Sequence, residues 1–66
     1  MNIILNGEPS TFDEPLSVAD LIVHMGLQDK RIAVEINLEI IPAGLHQTQL
    51  LHEADRVEVV AAIGGG

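Results

Sequence analysis

Residues 16–27 read "LSVADLIVHMGL", and the spacing of their apolar residues decides how the rest of the chain must be arranged. Val18, Leu21, Ile22 and Met25 fall at i, i+3, i+4 and i+7, which is one continuous face of an α-helix. Ser17 stands in front of them as an N-cap. Asp20 follows three places later, as in a capping box and near the positive end of the helix dipole, and Leu16 is placed to staple onto Leu21. Gly26 suits the left-handed position just past the helix, with Leu27 able to fold back on Ile22 in a Schellman arrangement. A helix this short does not persist alone in water, so its apolar face must lie against a sheet.

The flanking segments supply that sheet. In "IILNGEPSTF" (3–12), Ile3 and Leu5 alternate with Ile4 and Asn6, and Asn6-Gly7 tolerates the positive φ of a two-residue type I′ turn, which predicts an opening hairpin. Pro9 cannot donate to a ladder, so the second arm belongs at an edge or must turn its missing donor to solvent. After the helix, "RIAVEI" (31–36), "EIIP" (39–42) and "RVEVVAAI" (56–63) have strand patterns, with Asn37-Leu38 as a tight connection and the last of them the most β-prone. Between Pro42 and Asp55 the signals conflict: Ala43-Gly44 suggests a turn, "QTQLL" a short strand and "HEAD" a polar turn. The predicted fold is α+β: one helix laid across a small mixed sheet, with the last strand beside the first in its middle. Residues 64–66 would then project from a rigid base as a flexible glycine tail.

The 66 residues fit one domain, 1–66, and a core of this size is only marginally stabilising, which disfavours a deep enzyme pocket. Ten acidic residues against Lys30, Arg31 and Arg56 give a net charge of -7, a field that repels nucleic-acid backbones and anionic membranes. Phe12 is the only aromatic residue of the Phe, Tyr, Trp set, so stacking platforms for bases are missing. Cysteine is absent, which removes disulfides, thiolate nucleophiles and Cys-based metal sites. The start "MNIILNG" lacks the pattern of a secretory signal and no apolar run is of membrane-spanning length, so a cytoplasmic protein is expected.

Side chains that suggest chemistry mostly have structural explanations. His24, His46 and His52 are not spaced as a compact ligand set, so no metal is expected, and His24 is favoured by its place near a helix C-terminus. Ser10 and Ser17 sit in no G-x-S-x-G elbow, and Ser17 already caps the helix. The glycine run lacks the Lys-Ser/Thr continuation of a phosphate loop. Acidic residues such as Asp13, Glu14, Glu35, Glu39, Glu53 and Glu58 read as a solvated surface, with a docking face for a basic partner as the alternative.

The end of the chain, "AAIGGG" (61–66), is where chemistry remains possible. Three extended glycines reach roughly 10 Å and, without Cβ atoms, pass through a channel too narrow for side chains. A terminal carboxylate delivered that way is ionised and a poor electrophile, so it must first be activated, for which ATP is the usual means. A sulfur or amine nucleophile would then take the acyl group.

Together, "NIILNGE" (2–8), "SVADLIVHMG" (17–26), "AVEINLEIIP" (33–42) and "ADRVEVVAAIGGG" (54–66) resemble the thiamine-biosynthesis sulfur-carrier family, which is ubiquitin-like and of the β-grasp fold. The resemblance spans the chain, although only the C-terminal diglycine is a chemical motif. It implies a carrier rather than an enzyme, binding no cofactor itself. An adenylyltransferase related to ubiquitin-activating enzymes would use ATP and Mg²⁺ to adenylate Gly66. Sulfur from a persulfide protein would convert it to a thiocarboxylate, and thiazole synthase would accept that sulfur. Gly65 completes the diglycine, and Gly65 and Gly64 form the tail that enters the partner's active site; Gly64 lies beyond the two-glycine minimum and gains no separate role. Alternatives within the fold are the molybdopterin synthase small subunit and a tRNA-thiolation carrier. Protein tagging is less well suited to a chain with Lys30 as its one lysine. An alternative of another class is a noncatalytic β-grasp binding module with an inert tail.

Overall fold

A computed structural model describes residues 1–62. Its elements are strands β1 (Asn2–Leu5) and β2 (Glu8–Thr11), helix α1 (Val18–His24), strands β3 (Ile32–Ile36) and β4 (Glu39–Ile41), a 3-10 turn at Ala43–Leu45, and strand β5 (Arg56–Ala61). The strands form one mixed sheet in the order β2-β1-β5-β3-β4. β5 runs parallel to β1 and antiparallel to β3, so the last strand occupies the centre, as expected. β2, with Pro9, lies at one edge, where a residue without an N–H costs no ladder bond to a further strand.

Both hairpins turn on residues with positive φ: Asn6 (49°) and Gly7 (83°) in the first, Asn37 (51°) and Leu38 (71°) in the second. The helix has the caps its sequence predicts. Ser17 Oγ accepts from the Asp20 N–H while an Asp20 carboxylate oxygen accepts from the Ser17 N–H, both at 3.0 Å. At the other end Gly26 (φ 72°) lets its N–H reach the Val23 carbonyl and the Leu27 N–H reach the Ile22 carbonyl, the paired bonds of a Schellman motif.

Val18, Leu21 and Ile22 from α1 join Ile3, Val34, Ile36, Val57 and Val59 from the sheet in one buried cluster, completed by Leu16 and Leu51. Ile32, the first residue of β3, is only half-buried and packs against the cluster from its margin. The ambiguous stretch 43–55 contains no strand. In place of the short strand suggested by "QTQLL", Leu50 makes a single bridge to Ser17, and the Gln49 carbonyl and Leu51 N–H bond Val18 and Leu16 at 2.9 Å. The segment thus ties the helix start to the body through backbone groups that no side-chain pattern announces.

Candidate functional site

β5 is the element that leads toward the glycines. Along it Val57 and Val59 are buried, whereas Arg56, Glu58 and Val60 are exposed, the alternation expected of a strand with one face on the core. Register then decides what surrounds the exposed residues. Glu58 lies opposite Glu35, Glu35 lies opposite Ile40, and Val60 lies opposite Ala33, which gathers these residues on the outer face of β5, β3 and β4. Val60 is 61% and Ile40 75% exposed, and Leu38, in the turn between β3 and β4, is 90% exposed. The outer face therefore carries apolar side chains around two like charges set directly opposite each other. That is a small destabilisation for an isolated chain, which a cation from outside would relieve.

The cationic residues are placed differently. Ala62 donates its N–H to the Arg31 carbonyl at 2.9 Å, so Lys30 and Arg31 lie beside the last described residue of the β5 segment. They border a cleft of about 470 Å³ with Ile22, Gln28, Ile32 and His46. Arg56 begins β5, opposite Ile4. Lys30 and Arg31 thus stand near the end of β5 from which the chain continues to Ile63, whereas Arg56 stands at its start.

The remaining candidates are dispersed. His24 meets Phe12 edge-on with ring centroids 5.5 Å apart. His46 Nε2 is 3.0 Å from the Ile41 carbonyl, and His52 Nδ1 is 3.9 Å from Asp55 in the turn before β5. Ser10 Oγ donates to the Glu8 carbonyl at 3.3 Å, and Ser17 holds the helix cap. The hydrogen bonds of the cap, from the Ser17 backbone first and its hydroxyl second, hold the Asp20 carboxyl below its ordinary value, helped by nearby His24. A cleft of about 640 Å³ runs between α1 and the segment after β2, past Phe12, Asp13, Pro15, Asp20 and His24, and includes no residue of β5. No described helix is long and apolar enough to cross a membrane. Gly64, Gly65 and Gly66, the candidate tail and attachment residues, lie outside the described residues.

Sequence reading singled out the tail and named Glu35 and Glu58 among scattered acids, but it did not show that these two face each other beside Ile40 and Val60. Each strand showed its own alternation, but which outward residues become neighbours depends on strand order and register.

Comparison with known proteins agrees with this geometry. The ThiS family model matches residues 3–66. The crystal structure of a thiamine biosynthesis protein (ThiS) from Geobacter metallireducens superposes with a TM-score of 0.82 at 33% identity, covering 100% of both chains. A solution structure of a Geobacter metallireducens thiamine biosynthesis protein gives 0.81 at 33% identity, covering 100% of this chain and 88% of that one. The uncharacterized protein ycf40 of Porphyra purpurea is 36% identical over 66 residues, 100% of this chain and 93% of the relative. Thiazole synthase of Paramagnetospirillum magneticum is also 36% identical over the whole chain, but the chain spans only 20% of that relative's length. A family match over nearly the whole chain, with the fold shared by a solved relative, places this protein in the ThiS family of ubiquitin-like β-grasp sulfur carriers.

Proposed function

We propose that the chain is a protein cosubstrate that carries sulfur on Gly66 for formation of the thiamine thiazole. The Gly66 carboxylate attacks the α-phosphorus of ATP on an activating adenylyltransferase, with Mg²⁺ held there, and pyrophosphate leaves. The terminal sulfur of a donor persulfide then attacks the acyl carbon and AMP leaves. A thiol then attacks the donor's sulfur in the resulting acyl disulfide; a disulfide forms between thiol and donor, the acyl-side sulfur–sulfur bond breaks, and the carrier leaves as a thiocarboxylate. Thiazole synthase accepts that sulfur, and two relatives of this chain bear that enzyme's name. Gly65 and Gly64 serve as the narrow part of the tail, and neither ATP nor metal is held by the carrier itself.

The observation that carries the reading is the position of β5. It lies between β1, which pairs with its first residues, and β3, which accompanies it to Ala61, and the last described backbone bond, from Ala62 to Arg31, comes four residues before Gly66. A short tail on a rigid central strand delivers its end to a defined place, which positional chemistry on a carboxylate requires. The outer face, with Ile40, Val60 and the paired Glu35 and Glu58, suits docking to an apolar surface bearing cations.

The test is incubation with ATP, Mg²⁺, the activating enzyme and a persulfide donor from the same cell, followed by intact mass. Addition of AMP without the donor, and exchange of one oxygen for sulfur with it, are expected. An unchanged mass under both conditions, with an enzyme active on another carrier, rejects the reading and leaves a binding module.

A further inference from the structure

β1 ends at Leu5, where Asn6 and Gly7 turn the chain back into β2. β5 continues well past that point. β1 pairs with it only at Arg56 and Val57, whereas β3 accompanies it to Ala61. Backbone groups alternate in direction along a strand, so those of Val57 and Val59 face the β1 side. Val57 is served there, because its carbonyl accepts the Asn6 N–H at 2.8 Å. Val59 is the first residue of β5 whose N–H and C=O face the place where β1 has stopped.

The Asn6 side chain fills that place. Its Oδ1 accepts from the Val59 N–H at 2.8 Å, and its Nδ2 donates to the Val59 carbonyl at 3.3 Å. A carboxamide offers the same donor and acceptor as a peptide unit, so it adds one rung to the ladder without lengthening the strand. The left-handed φ of 49° at Asn6 is what brings this side chain back over β5, and asparagine tolerates that conformation better than most residues.

We infer that Asn6 is a positioning residue for the tail: its amide holds β5 from both sides as far as Val59, so that the strand leads toward the glycine run along one fixed line. The reaction it serves is the one proposed above, and the inference rests on that reading. Without the amide, support from both sides retreats from Val59 to Val57, about 6.6 to 6.8 Å back along the strand. Asn6 itself is not a member of the core cluster; it meets that cluster only through the backbone of Val59, whose buried side chain the substitution leaves in place.

Asn6→Gly is the direct test, since glycine keeps the positive φ and the backbone bond to Val57 and removes only the amide. Asn6→Asp is its partner variant: it keeps an acceptor for the Val59 N–H and loses the donor to the Val59 carbonyl. In Asn6→Gly, hydrogen exchange at the Val59 amide should accelerate by about tenfold or more relative to the amides of Leu21 and Val34, with Asn6→Asp between the two. With the activating enzyme, kcat for ATP-dependent pyrophosphate release should fall about tenfold while KM stays within about twofold, because docking is intact and placement is not.

Unchanged protection at Val59 overturns the inference. So does an unchanged kcat, or a rise in KM alone, which would make Asn6 a contact for the partner. If Asn6→Gly does not fold, Asn6→Asp gives the same readings. If the native chain itself releases no pyrophosphate, the carrier reading fails, and exchange at Val59 alone judges the contact.

Discussion

Replacing Leu21 by Ala tests the packing on which a rigid base for the tail depends. Leu21 is 0% exposed and lies in the cluster with Ile3, Val18, Val34 and Val57, so the substitution removes three carbons from a site with no access to water. At about 0.8 kcal/mol per buried methylene the lost transfer term is about 2.4 kcal/mol. A residual cavity of roughly 50 to 80 Å³ adds about 1 to 2 kcal/mol, for a total of about 3 to 4 kcal/mol. The whole domain, at about 0.05 to 0.15 kcal/mol per residue, has on the order of 3 to 10 kcal/mol to lose. The melting temperature should therefore drop by about 12 to 30 °C, and at the lower bound of stability the variant is largely unfolded at room temperature. Far-UV circular dichroism is the appropriate assay, because the chain has no Trp or Tyr to report by fluorescence. Val23→Ala on the exposed side of the same helix, where the side chain is 58% exposed, is the control and should stay within about 0.5 kcal/mol of native. Equal effects at Leu21 and Val23, or a loss below about 1 kcal/mol at Leu21, would refute the helix-on-sheet core.

Appending one Ala after Gly66 should reduce ATP-dependent pyrophosphate release to near background with the melting temperature unchanged, since the carboxylate moves roughly 3.3 to 3.6 Å and a Cβ enters a channel suited to glycine; equal release from both chains sinks the carrier reading. With a net charge of -7, association with the activating enzyme should slow as ionic strength rises, and stopped-flow on-rates that stay flat with salt would leave an apolar contact only. Glu58→Gln relieves the repulsion with Glu35, so it should raise stability by a few tenths of a kcal/mol while slowing that association, read by melting and on-rate together. Asp20 has a lowered carboxyl pKa in the folded chain, so its contribution is fully present above the ordinary value of 3.8 and is lost as pH falls through the lower folded value. Asp20→Asn should therefore flatten the acid limb of the melting temperature against pH, and an unchanged limb would place the acid sensitivity elsewhere.

The local decisions of this chain are written in short stretches of sequence because their physics is local. Ser17 and Asp20 reach only each other's backbone across one turn, Gly26 sets a single φ, and Asn6-Gly7 and Asn37-Leu38 close two-residue turns, so each could be read without knowing what lay beside it. The apolar period of Val18, Leu21 and Ile22 and the alternation of Val57 and Val59 likewise identified which faces are buried. Three features required the tertiary structure. The segment 43–55 is held by backbone bonds to Leu16, Val18 and Ala19, and backbone groups are the same for every residue type. The facing pair Glu35 and Glu58, with Ile40 beside them, exists only once β3, β4 and β5 are in register, since a slip of one residue would turn each of them inward. Asn6, legible as a turn former, becomes a partner of Val59 only because β5 outruns β1, a difference in strand length that no local pattern records.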